Sequence, residues 1–140
     1  MRDILFKAKR KNWKELPKEQ WWVKGYLLKS FTGISYIVVE YDHIIGTLEI
    51  YEVISETICQ YTGLTDMNGQ KIWENDILCG QLDDMCPDDK TYAQVLWYKN
   101  GWYTKENDGI DYNMMDEFDE HFFAVVGNVF DNADLLKEVV

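Results

Sequence analysis

The sequence is short of the residues that punctuate a chain and of those that do acid-base chemistry. Two prolines in 140 residues are too few for a Pro-rich stalk or linker. No glycine-rich loop ends in Gly-Lys-Ser/Thr, and GxGxxG, GxSxG and HExxH are all missing. The common nucleotide-binding and hydrolytic signatures are therefore absent. The two histidines, His43 and His121, are isolated, and such a residue is more often a surface or part-buried polar group than a base. Spacing alone leaves a Cys–His nucleophile pair open, since the partners need not be neighbours in sequence, but nothing supports one. No catalytic residue is expected.

Cysteine is also scarce. Cys59, Cys79 and Cys86 form no CxxC pair, and their odd number suits a reducing compartment. Cys59 and Cys79 read as buried, inert thiols. A zinc site needs about four convergent ligands, and these residues are scattered. No window approaches about eighteen uncharged apolar residues, so no membrane-spanning helix is expected. Charges interrupt Met1–Lys7 too early for the apolar core of a signal peptide. The expected location is the cytoplasm.

What is present in quantity is aromatic: six Trp, nine Tyr and six Phe. Trp and Tyr favour pleated, half-buried surfaces. Acidic charge is the second excess, with a net −11. It is unevenly spread, because residues 1–30 hold nine basic residues against three acids, leaving −17 on residues 31–140. The basic segment is suited to phosphate or to an acidic face of its own chain or a neighbouring subunit. The second fits better, because so acidic a body repels a polyanion within a Debye length of about 8 Å. Trp13, Trp21, Trp22 and Tyr26 interleave with Lys11, Lys14, Lys18 and Lys24, a pattern seen in single-strand binders. Sheet cores and subunit contacts also consume such rings, and no RNP-type motif accompanies them.

Two acidic stretches, Gln81–Lys90 and Glu106–Glu120, read as loops. Clustered carboxylates raise calcium, yet neither stretch has the alternating EF-hand ligand pattern. Solvated loop charge is the better account, and no metal or cofactor is expected.

Period-two patterning and β-branched or aromatic content predict strands at Ile4–Lys9, Trp21–Ser30, Ile34–Tyr41, Leu48–Ile54, Tyr61–Leu64, Ile72–Cys79, Ala93–Tyr98, Trp102–Thr104 and Phe122–Phe130. Lys11–Gln20 reads as a loop with one helical turn. Asn68-Gly69 and Asn100-Gly101 supply positive φ at both centres of type I′ hairpin turns. Asp131-Asn132 can cap a short terminal helix carrying Leu135, Leu136 and Val139 on one face. The total is about eight strands and one helix, in a single domain.

The run Gln60-Tyr61-Thr62-Gly63-Leu64, then Asp66-Met67-Asn68-Gly69, then Ile72-Trp73-Glu74-Asn75-Asp76-Ile77 resembles the signature of the YopX-like proteins of phages and prophages. The opening Arg2–Ala8 and the closing Val126-Gly127-Asn128-Val129-Phe130-Asp131-Asn132 resemble the family's first and last strands. Asn75 stands where the family usually has Gly, and Asn is the next best residue for positive φ. Ala133 stands where a Pro is common. The resemblance implies a mainly β chain: a small SH3-like barrel over 57–133, a strand-rich portion over 1–56, and a short helix over 134–140. It implies no enzymatic activity. Tyr61, Gly63, Asn68, Gly69, Glu74, Asp76, Gly127 and Asn128 then read as residues that shape the fold, with Glu74 and Asp76 accepting backbone hydrogen bonds. The expected role is a protein-interaction or self-assembling module, a homo-oligomer or a binder of a host or phage protein. The alternatives are nucleic-acid binding through the basic segment, or an acidic decoy for a host nucleic-acid-binding protein.

Overall fold

Alternating exposure along runs such as Trp22–Lys29 and Leu48–Val53 sets the faces of the sheet. The computed structural model describes residues 4–40, 48–81, 90–99, 101–106, 112–115 and 123–136. Among these residues there are eleven strands, joined by turns and short 3-10 segments. The chain divides into two compact units, Met1–Tyr61 and Thr62–Val140.

In the first unit, β1 (Phe6–Lys9), β2 (Trp22–Lys29), β3 (Ser35–Glu40), β4 (Leu48–Val53) and the start of β5 (Cys59–Thr65) form an antiparallel sheet. Its order is β4-β3-β2-β1-β5. Register places Ala8 opposite Val23 and Leu27 opposite Ile37, so one face carries the core. Ala8, Ile37 and Val53 are buried there, packed by Phe6, Val23, Leu27, Val39 and Ile58. Burying one such aliphatic side chain contributes about 1.5–3 kcal/mol. At one end the sheet bends back on itself. Arg10 bridges Val53, Ile54 N–H donates to Lys9 C=O, and Lys11 N–H donates to Glu52 C=O. Between β1 and β2 the predicted loop contains two 3-10 segments, Trp13–Glu15 and Lys18–Gln20, neither with a buried residue.

The second unit holds β7 (Asp76–Gln81), β8 (Lys90–Tyr98), β9 (Gly101–Glu106), β10 (Tyr112–Met114) and β11 (Phe123–Asn128) in the order β10-β9-β8-β7-β11. β6 (Lys71–Trp73) neighbours β5. Ile72, Leu78, Val95 and Met115 make the core, packed by Leu64, Trp102, Phe123 and Val125.

The mainly β class is as the sequence predicts, but the SH3-like barrel is not. Among the described residues both sheets are open, with β10 and β11 at the two edges of the second. Strand number is also corrected. The run Ile72–Cys79 splits into β6 and β7, because Asn75 sits at φ +68 and no extended strand passes through that conformation. β10 lies inside the stretch read as an acidic loop. The C-terminal helix is a 3-10 segment, Ala133–Leu136, and 137–140 lie outside the described residues. So do Asn100, His43, His121, Cys86 and 82–89.

Both hairpin turns differ from expectation. Asn68 is not among the positive-φ residues, whereas Gly69 is, at +77. Gly69 N–H donates to Asp66 C=O, so this is a type I turn followed by a left-handed glycine, the three-residue hairpin loop. In the β8–β9 hairpin Tyr98 already pairs with Gly101. The loop therefore begins at Lys99, which takes φ +59. The Trp97–Trp102 cross-strand pair, with ring centroids 4.9 Å apart, favours this register over one centred on Asn100-Gly101.

Candidate interaction surface

The basic N-terminal segment is woven into the first unit. β1 lies between β2 and β5, so Lys7 and Lys9 sit at an interior strand and are only 9% and 6% exposed. Lysine is seldom buried without compensation. Here the Lys9 ammonium lies 3.9 Å from the centroid of the Trp13 ring, 4.7 Å from Trp21 and 5.9 Å from Trp22. Lys7 lies 5.2 Å from Trp22. Trp13 and Trp21 pack edge to face, and the Trp21 indole N–H donates to Leu16 C=O at 3.0 Å. The aromatic quadrupole thus replaces part of the lost hydration of each cation. These tryptophans, read as a stacking platform for bases, are instead occupied by the chain's own lysines. Lys11, Lys14, Lys18, Lys24 and Lys29 are exposed, Lys14 lying 5.7 Å from the Trp13 ring centroid.

Next to this cage lies the outer side of β4, which among the described residues has no strand beside Leu48–Ile50. Leu48 and Ile50 are each 57% exposed. Their face continues through register into β3 and β2, where Ile50 opposes Val38, and Val38 opposes Tyr26. Tyr26 and Leu28 are also exposed. A groove of about 380 Å³ runs beside the strand, lined by Arg10, Lys11, Asn12, Ile50, Tyr51 and Glu52. The Arg10 guanidinium stacks 4.4 Å from the Tyr51 ring centroid, and the Tyr51 hydroxyl donates to Glu49. An apolar strip edged by fixed cations is suited to an extended or acidic protein surface.

In the second unit a groove of about 440 Å³ is lined by Thr62, Leu64, Gly101, Trp102, Tyr103, Met114 and Met115. Cys59 is buried and Cys79 half-buried, both as free thiols. Among the described residues no three His, Cys, Asp or Glu side chains converge to hold a metal. None of the described helices is long and apolar enough to cross a membrane.

Asp76, Asn75 and Asn128 of the sequence signature bond the backbone. Tyr61 and Gly63 lie in β5, where Tyr61 N–H donates to Leu5 C=O. Asp76 is 1% exposed and its Oδ2 accepts the Trp73 N–H at 2.8 Å. Asn75 N–H donates to Val95 C=O, Asn75 C=O accepts from Val129 N–H, and its Oδ1 accepts from Gln94. Glu74 is half-buried. Asn128 Oδ1 accepts from both Phe130 and Asp131 N–H. A Cβ on Gly127 would lie 2.4 Å from Asn132 Oδ1, so a side chain there would displace Asn132 from the Asn128 N–H that it accepts.

Asp66, from the same signature run, ties its own loop to β11. It is 3% exposed. Its Oδ1 accepts from Asn68 N–H and Gln70 N–H, and its Oδ2 accepts from Val125 N–H at 2.9 Å. Met67 N–H adds a bond to Phe123 C=O. An Asp at the first position of a type I turn is a readable signal. Its second partner, 59 residues along the chain, is not.

The YopX protein family matches residues 11–137 of the sequence. The chain belongs to the YopX family. No curated protein matches this YopX-family chain. Its fold is similar to that of protein EF1440 from Enterococcus faecalis, known from a crystal structure. That similarity has a TM-score of 0.58 and 21% identity, and it covers 98% of this chain and 100% of the other. At such identity the likeness concerns fold alone.

Asn75 is the place where this YopX sequence departs from the usual glycine. Asn75→Ala is expected to lose about 2 kcal/mol in urea unfolding, since Ala meets the left-handed penalty and drops the bond to Gln94. Asn75→Gly is expected to stay within about 0.5 kcal/mol of the native chain, because added conformational ease offsets the lost side-chain bond.

Proposed function

We propose that this YopX-family chain is a non-enzymatic interaction module, encoded by a phage or prophage and associating with copies of itself in the host cytoplasm. The observation that carries the reading is the β4 edge, which among the described residues has no strand beside Leu48–Ile50. Leu48 and Ile50 are more than half exposed there, with Ile50 beside Arg10 and Lys11. Globular proteins usually blunt such an edge with charged residues, above all lysine, or with proline or a bulge. Leu48–Val53 has no lysine, proline or bulge and only Glu49 and Glu52 as charges. The charge balance supports the same reading. Residues 1–61 carry nine basic against eight acidic residues, a net +1, and residues 62–140 carry five against seventeen, a net −12. Nucleic-acid binding is the weaker reading, because Lys7, Lys9 and three tryptophans engage one another.

Sedimentation velocity tests this. The chain is expected to associate at about 50 mM salt and to dissociate progressively towards about 0.5 M, where the Debye length shrinks to a few Å. A monomer at low salt and high protein concentration would end the proposal.

A further inference from the structure

We infer that a second copy docks on the outer face of the first sheet, the same face from each copy, about a two-fold axis at Val38. This rests on the self-association reading above and says which surface meets which.

Register assigns the two faces. Leu27 and Ile37 oppose each other and turn to the core, so the residues on either side of them turn outward. Leu28, Tyr36 and Glu52 form one outward row across β2, β3 and β4, and Tyr26, Val38 and Ile50 form the next. Tyr26 is 56% exposed, Leu28 48% and Ile50 57%. At the turn end of the β2–β3 hairpin Phe31 is fully exposed and Ile34 is 39% exposed. A Phe ring alone presents about 150–250 Å². With half of each neighbouring side chain added, the patch passes the few hundred Å² above which exposed apolar surface marks an interaction site. The turn that carries Phe31 is fixed. Ser30 N–H donates to Ile34 C=O, Gly33 N–H to Ser30 C=O and Ile34 N–H to Ser30 Oγ, with Gly33 at φ +88. Docking on it therefore has little backbone to order.

Charge selects a second copy of this same face as the occupant. Glu52 stands at one corner, and Lys24, two residues beyond Tyr26 on β2, stands at the opposite one. Val38 lies between them, and both charged residues are exposed. The other acid of β4, Glu49, opposes Val39 on the core side and accepts the Tyr51 hydroxyl. A two-fold axis through Val38 brings Glu52 of each copy to Lys24 of the other and lays apolar rows on apolar rows. Such self-complementarity is what an isologous contact requires, and it closes at two copies. A strand added at the β4 edge would leave Tyr26 and Leu28, two strands further in, uncovered. A body laid across the face covers them together with Ile50.

Sedimentation velocity of the full chain at about 50 mM salt tests the face and the axis separately. The native chain is expected to stop at a dimer. Leu28→Lys lies two strands from the β4 edge, and it is expected to weaken association at least about tenfold with an unchanged circular dichroism melt. Tyr26→Lys serves the same test if Leu28→Lys melts below the native chain. Lys24→Glu and Glu52→Lys are each expected to weaken association about tenfold, because each sets like charges together twice per dimer. The double swap Lys24→Glu/Glu52→Lys is expected to recover native association. If the apolar variants associate like the native chain, this face is not the interface, although self-association stands. Assemblies larger than a dimer, or a double swap no tighter than the single ones, remove the two-fold pairing. A monomeric native chain removes the inference together with the reading on which it rests.

Discussion

Replacing Asp66 with alanine is expected to destabilise the second unit by about 3 kcal/mol, more than Asn75→Ala. The carboxylate accepts three backbone N–H groups, from Asn68, Gln70 and Val125. Hydrogen bonds to a charged acceptor are each worth about 1.5–3 kcal/mol net. The full sum is not expected, because Asn68 and Gln70 are exposed and water replaces the carboxylate there. Val125 N–H is half-buried on β11 and has less recourse to solvent. A loss of this size corresponds to a drop of about 10 °C in Tm for a chain this long. Asp66→Asn separates the two halves of the arrangement. An amide has a single acceptor oxygen, so it serves either the loop or Val125, and its stability should fall between alanine and the native chain. If asparagine melts with the native chain, the link to β11 is not what holds the turn.

Reversing the charge in the tryptophan cage is expected to be worse still. Lys9→Glu places a carboxylate at a position 6% exposed, facing the negative π faces of Trp13, Trp21 and Trp22. An uncompensated buried charge costs about 3–5 kcal/mol, to which the lost cation–π attraction is added. The first unit should then lose its cooperative unfolding transition, followed by tryptophan fluorescence. Lys9→Met is the control, since it keeps the apolar stem among the rings and removes only the ammonium. It is expected to cost about 2 kcal/mol, the scale of a desolvated cation–π contact. Equal effects from Met and Glu would mean that the site needs only the length of the side chain and that charge is immaterial.

Strand positions were the most legible part of the fold, because burial alternates in the sequence as it does in the sheet. Ile34–Tyr41 became Ser35–Glu40, and Leu48–Ile54 became Leu48–Val53. β10 was not legible: Tyr112-Asn113-Met114 lies among acids in sequence, and only pairing with β9 makes it extended. The two Asn-Gly pairs marked hairpins correctly but gave the wrong turns. In one the Asp66 side chain stabilises a type I geometry, and in the other Trp97 and Trp102 set the register. Linear charge counting misled most about the N-terminus. It showed a basic segment but not that β1 takes Lys7 and Lys9 into the sheet's interior, and the tryptophan spacing gave no hint of whose cation the rings would hold. The β4 edge was hidden for a related reason, since a strand's neighbours, or lack of them, are not written in its own residues.

The reach of Asp66 across the second unit also bears on how the protein is made. A chain leaving the ribosome can form the Gly69 turn as soon as its residues emerge. The second carboxylate oxygen, however, stays unmatched until Val125 has been synthesised. The hairpin loop therefore reaches its final strength only once β11 has been made, and a shortened product ending before β11 would carry a loose turn open to proteolysis.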